Sequence, residues 1–110
     1  MSNNSNLSAL RSNLSASALI ERLQQGEELL LLDVRERLEY HTYNIGGTNI
    51  PLGLLNEKIE ELKLDKHQEI IVICKMGLRS KTAQTVLQQL GYTQVKNLHG
   101  GMMAVQRLQH

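Results

Sequence analysis

The chain of 110 residues has one cysteine, one proline, three tyrosines, and neither tryptophan nor phenylalanine. A lone cysteine, Cys74, excludes an intramolecular disulfide framework and any metal site built from several cysteines. With aromatics so scarce, the core has to come from Leu, Ile, Val, Ala and Met. No apolar run approaches the ~18–20 residues a membrane-spanning helix needs. The first residues, Met1 to Asn13, are polar and rich in Ser and Asn, without the apolar stretch of a secretory signal. These absences lead to three expectations: a frayed tail over residues 1–12, a single domain over residues 13–110, and a reducing compartment, the cytoplasm.

Acids are missing from the last third. All eleven lie within residues 1–69 together with seven of the twelve Lys and Arg. Residues 70–110 hold Lys75, Arg79, Lys81, Lys96 and Arg107 and no acid. A net charge of +1 points to neither a nucleic-acid nor a membrane partner. The segregation has two readings: a solvated basic face, or a positive field that draws a small anion to a site in the C-terminal third.

What is present is an alternation of helical stripes and short apolar runs. Ala16, Leu19, Ile20 and Leu23 recur at helical spacing behind a capping Ser15, and Gly26 follows. Leu29–Leu32 is a continuous apolar run suited to a strand buried on both faces. Arg37–His41 fits a helical turn, and Thr48–Pro51 an extended piece, because a residue before proline avoids the helical region. Leu55, Ile59 and Leu62 make another stripe. Ile70–Ile73 places four β-branched residues in a row, the strongest strand signal in the chain. A helix carrying Ala83, Val86, Leu87 and Leu90, a strand over Val95–Leu98 and a helix over Met102–Leu108 complete the pattern. Such alternation predicts the α/β class, a mostly parallel central sheet with helices on both faces.

In sheets of this kind ligands sit beyond the carboxyl ends of the strands, where Cys74 lies. The segment Cys74-Lys75-Met76-Gly77-Leu78-Arg79-Ser80 joins the strongest strand to a helix. The helix start offers unpaired N–H groups and the positive end of its dipole. Gly77 permits a tight curve that aims N–H groups inward. Lys75 and Arg79 add formal charge. All of these lower a thiol pKa, which marks Cys74 as a nucleophile rather than an inert core residue.

The residues then resemble a known family. Cys74, Gly77, Arg79 and Ser80 match Cys-x-x-Gly-x-Arg-Ser, the active-site loop common in rhodaneses. Leu32-Asp33-Val34-Arg35-Glu36, followed by Glu39-Tyr40, resembles that family's Asp-Val-Arg strand end. Leu98-His99-Gly100-Gly101-Met102 resembles its Gly-Gly turn before the last helix. The likeness runs from about Asn13 to Leu108. It departs at Tyr43-Asn44-Ile45-Gly46-Gly47-Thr48, where the family often has Gly-His-Ile-Pro-Gly-Ala, and at Val105, where a Trp is common.

The resemblance implies a rhodanese-like fold and a sulfurtransferase that carries sulfane sulfur as a persulfide on Cys74. The loop has four residues between Cys74 and Arg79. Related phosphatases and arsenate reductases use one more. The implied donor is a small anion such as thiosulfate, and the implied acceptor is cyanide or a cellular thiol. No metal or organic cofactor is needed. The alternative is a sulfur-relay or persulfide-binding module that works with a protein partner. Lys75, Met76, Gly77, Leu78, Arg79 and Ser80 form the binding loop. Arg79 either faces the loop centre or braces it through backbone carbonyls, and Lys75 either steers substrate or is simply solvated. Asp33 and Arg35 are expected to support the site as an internal ion pair, and Gly100 and Gly101 to let the last turn pass beneath the loop. His99 is expected to be structural.

Overall fold

The computed structural model describes residues 12–109, so the expected tail lies, apart from Ser12, outside the described residues, as does His110. Along them run strand β1 (Asn13–Leu14), helix α1 (Ala16–Gln24), β2 (Leu31–Asp33), α2 (Arg37–Thr42) and β3 (Thr48–Asn49). A single turn, α3 (Leu55–Lys58), follows between 3-10 turns at Leu52–Leu54 and Ile59–Leu62. The chain continues as β4 (Glu69–Ile73), α4 (Leu78–Gln89), β5 (Gln94–Leu98) and α5 (Gly101–Leu108). The strands form one sheet in the order β1-β5-β4-β2-β3, and every pairing is parallel.

The β-branched run explains the centre of the molecule. In β4, Ile70 and Val72 point to one face, where Leu55, Ile59, Ala83 and Leu87 meet them. Ile71 and Ile73 point to the other, against Leu19, Met102 and Val105. A strand covered on both faces has no side on which to carry a polar residue, so its sequence reads apolar throughout. The two apolar layers place α3 and α4 on one face and α1 and α5 on the other. Ser15 starts α1 by accepting the Ala18 N–H at 3.1 Å.

Four details differ from the sequence expectation. The apolar run at Leu29 enters the sheet later than expected: the strand is Leu31–Asp33, and Leu30 contributes only its carbonyl, to the Ile71 N–H at 2.9 Å. Asp33 belongs to the strand although it is a carboxylate, because Arg35 satisfies it in the interior. The stripe at Leu55, Ile59 and Leu62 is broken between helix types and ends at Lys63, which takes a left-handed φ of 51°. The edge strand Asn13–Leu14 has no apolar pattern to announce it; β5 imposes it by pairing. Asp33 stands in register with Ile73, so the carboxyl ends of β2 and β4 lie side by side.

Candidate active site

Cys74 directly follows β4 and keeps the alternation of that strand, lying in the same apolar layer as Ile70 and Val72. It is 1% exposed. The chain then turns through Gly77 at φ 92°, a conformation that side-chain-bearing residues avoid. The turn brings the Gly77 N–H to the Cys74 sulfur at 3.0 Å. The Ser80 hydroxyl oxygen, from the first turn of α4, lies 3.2 Å from the same sulfur. Burial pushes the thiol up. The Ser80 hydroxyl and the N–H groups of Ser80, Gly77 and Met76 pull it down further, leaving Cys74 below the ordinary thiol value.

The floor of this loop is the turn before α5. The Met102 N–H donates to the Cys74 carbonyl at 2.8 Å, and the Met103 N–H to the Lys75 carbonyl at 3.0 Å. Gly101 makes this approach possible. At φ 61°, a Cβ on it would stand 2.5 Å from the Cys74 carbonyl oxygen and 2.6 Å from that of Lys75. A Cβ on Gly77 would stand 3.2 Å from the Gly100 nitrogen. Gly77, Gly100 and Gly101 are therefore one contact, in which two backbones meet without side chains between them.

Arg79 follows neither expected course as stated. Its guanidinium turns to Glu39 of α2 and holds both carboxylate oxygens, at 2.7 and 2.9 Å. It thus ties the start of α4 to a neighbouring helix through a carboxylate rather than through loop carbonyls. The Arg79 hydrogen bonds bring Glu39 down to about 2, against the opposing effect of burial and with help from the Glu36 N–H. Of the two readings of the basic last third, the positive field is accordingly the weakened one. Arg79 pairs with Glu39 and Lys96 with Glu69, the latter at 2.9 Å, so acids of the first two thirds neutralise cations of the last.

The other residues singled out in the sequence fall into two groups. Asp33 and Arg35 are both buried and bonded to each other, with an Nη2–Oδ2 distance of 2.8 Å. The same Arg35 nitrogen also donates to the Tyr43 carbonyl at 2.7 Å. Lys75, Met76 and Leu78 face outward. Lys75 lines a shallow opening of about 380 Å³ together with Arg35, Leu38, Tyr43 and Gln106. Met76 and Leu78 are 53% and 64% exposed, and Leu38 on α2 is 79% exposed. His99 is exposed, and its backbone N–H donates to the Leu14 carbonyl at 2.9 Å. Among the described residues no cluster of three or more His, Cys, Asp or Glu is placed to hold a metal ion, and no helix is long and apolar enough to cross a membrane.

Two residues at the site were not assigned there from the sequence. Glu39 was read as part of a motif and not as the partner of Arg79. Asn97 is a buried polar residue whose side-chain oxygen accepts the Ser80 hydroxyl in a short hydrogen bond. Its signal in the sequence is faint: one amide within a strand that otherwise buries Val95 and Leu98.

Comparison with known proteins adds to this geometry. The family model described as the rhodanese-like domain matches residues 15–108. A putative sulfurtransferase of Bacillus subtilis, YtwF, is 40% identical over 92 residues, covering 83% of this chain and 86% of that one. A putative sulfur carrier protein of the same organism, YrkF, is 36% identical over 90 residues. That match covers 81% of this chain and 48% of the relative, so the chain spans about half of its length. Among solved structures, the human single-domain sulfurtransferase TSTD1 superposes with a TM-score of 0.77 at 28% identity, covering 87% of this chain and 96% of that one.

Proposed function

Because the chain belongs to the rhodanese family and its relatives mark it as a sulfurtransferase, we propose that it moves sulfane sulfur from a small anionic donor such as thiosulfate to cyanide or a cellular thiol, through a persulfide on Cys74. The observation that carries this reading is the convergence of the Gly77 N–H and the Ser80 hydroxyl on one buried sulfur. Three backbone N–H groups and a hydroxyl favour the charged form of a group that burial alone would keep neutral. A reducing compartment such as the cytoplasm, which keeps the thiol free to cycle, belongs to the same proposal.

The reaction then has two steps. The Cys74 thiolate attacks the outer sulfur of thiosulfate. A new sulfur–sulfur bond forms, the old one breaks, and sulfite leaves with the bonding pair. The negative charge of the persulfide now rests on the outer sulfur, where the loop N–H groups stabilise it as an oxyanion hole would. Cyanide, or a thiolate, attacks that outer sulfur and leaves with it, and the Cys74 thiolate is restored. Lys75, exposed beside the opening, steers the incoming dianion. With Cys74 1% exposed, the donor has to present a terminal sulfur rather than its body.

The test is intact-mass measurement after incubation with thiosulfate and no acceptor. One added sulfur is expected on the native chain, with its loss and release of thiocyanate when cyanide follows. Absence of the adduct with thiosulfate, mercaptopyruvate and glutathione persulfide alike would overturn the proposal.

A second reading has its own support. Leu38, Met76 and Leu78 are large apolar residues held out to solvent on the active loop and the neighbouring helix. Exposed apolar residues around a site suit a protein partner better than a small anion. A sulfur-relay role, with donor or acceptor sulfur delivered by a protein, fits that rim. Replacing Met76 and Leu78 by Ser would slow transfer to such a partner while sparing thiosulfate turnover.

A further inference from the structure

Ser80 has one hydroxyl proton and two buried acceptors beside it. Its oxygen is 3.2 Å from the Cys74 sulfur and donates to the Asn97 side-chain oxygen. Cys74, Ser80 and Asn97 are 1%, 0% and 1% exposed, so water does not take the place of a missing partner. Asn97 is oriented from behind: its Nδ2 donates to the Gly77 carbonyl at 3.4 Å and to Asn13 Oδ1 at 3.5 Å. The amide therefore turns its oxygen, an acceptor without a proton, toward Ser80.

Resting on the reading of Cys74 as the nucleophile, we propose that Asn97 is a positioning residue that competes with the Cys74 sulfur for the single Ser80 proton. In the resting site the thiol S–H donates to Ser80, and the Ser80 O–H donates to Asn97. When Cys74 loses its proton to solvent, the Ser80 hydrogen swings from Asn97 to the sulfur anion. When a donor sulfur is accepted, the charge moves one atom outward and the inner sulfur becomes a poor acceptor. The Ser80 hydrogen then returns to Asn97. Asn97 thus offers the hydroxyl a second home and reduces the cost of moving charge off the Cys74 sulfur, at the expense of some thiolate in the resting enzyme.

The charged groups facing the sulfur are few. Lys75 is on the loop itself, Arg79 on α4 is occupied by Glu39 of α2, and the Asp33–Arg35 pair on the adjoining strand end is internally neutralised. From α5 the Met102 and Met103 N–H groups reach the carbonyls of Cys74 and Lys75, and neither residue carries a charge. None of these changes in the variants below.

The experiment measures the alkylation rate of Cys74 by iodoacetamide against pH, on the whole chain, for wild type, Asn97→Leu, Asn97→Asp, Ser80→Ala and the double variants with Ser80→Ala. Asn97→Leu leaves Ser80 nothing but the sulfur to donate to. It is expected to lower the titration midpoint and raise alkylation roughly threefold below it, the effect of about one neutral hydrogen bond. Asn97→Asp, which preserves shape if the leucine variant fails to fold, is expected to raise the midpoint, and by less once Ser80 is alanine. In the Ser80→Ala background Asn97→Leu is expected to do nothing. A raised midpoint in Asn97→Leu, or an equal effect of either Asn97 variant with and without the hydroxyl, would overturn the proposal. Alkylation needs no sulfur donor. A chain that lacks sulfur transfer but titrates as described would refute the sulfurtransfer reading alone.

Discussion

The helices after β4 and β5 begin in the same way and are used differently. Each starts from a left-handed glycine, Gly77 at φ 92° and Gly100 at φ 77°, and neither has a capping side chain. A helix start carries N–H groups that no residue of the helix can satisfy. At α5 the chain spends them on itself: Met102 and Met103 donate to the carbonyls of Cys74 and Lys75. At the turn into α4 the Gly77 N–H goes to a sulfur atom. The remaining long starts are also occupied, α1 by Ser15 and α2 by a reciprocal box between Glu36 and Glu39. One helix start is left to the sulfur because another holds the loop in place beneath it.

The most severe way to break this comparison is to remove what α4 serves. Cys74→Ser is expected to abolish the sulfur adduct in intact-mass spectra and to reduce turnover by on the order of a thousandfold or more, as loss of a nucleophile does. Melting should change little, since the substituted group is nearly the same size.

Gly101→Ala attacks the floor instead. The added methyl meets two carbonyls in a left-handed conformation, and a loss of about 2–4 kcal/mol in urea unfolding is expected, with turnover falling alongside. Gly77→Ala strains the roof with more room to yield, and about 1–2 kcal/mol is expected. Its larger effect should be on Cys74 alkylation, because the Gly77 N–H donates to the sulfur at 3.0 Å. If both variants lost stability and alkylation in the same proportion, the division between a supporting and a serving helix start would fail.

Arg79→Lys keeps the charge and loses the fork that grips both oxygens of Glu39. A loss of no more than about 1 kcal/mol is expected from this half-exposed pair, with a clear drop in turnover as the α4 start loosens. Acid gives a second readout. Glu39 titrates at about 2 in the folded protein, below its unfolded value, so its contribution is fully present above the ordinary carboxylate range and is lost as pH falls toward 2. In Arg79→Lys the Glu39 signal followed by NMR should move up toward the ordinary value. The smallest effect belongs to Lys75→Ala, which should raise KM for thiosulfate by a few-fold and flatten its salt dependence without changing kcat.

The parts of this molecule visible in the sequence were those with local chemistry. The β-branched Ile70–Ile73 run announces a doubly covered strand, Ser15 announces a helix start, and the Cys74–Ser80 spacing with its glycine announces a loop around a thiol. What stayed hidden depends on contacts between distant segments. Glu39 and Arg79 are 40 positions apart, and nothing in either neighbourhood reveals the pair. The separation of acids from bases along the chain left open a solvated basic face or a positive field, whereas folding brings the two sets together at Glu39 and Glu69. Asn97 has no signal beyond one amide in a short strand, because only packing shows that it backs onto Ser80. The two-residue β1 had no signal of its own, since β5 supplies its order.

The position of β5 between β1 and β4 also bears on how the protein is born. On the ribosome, chains emerge at about 5–20 residues per second, N-terminus first. The cysteine is synthesised before β5 and the Gly100–Gly101 turn are. Until those residues arrive, β4 lacks one neighbour, the Cys74 and Lys75 carbonyls lack their donors, and Ser80 lacks Asn97. The loop around Cys74 therefore gains its floor, and Ser80 its second partner, only when the last strand slides into the gap.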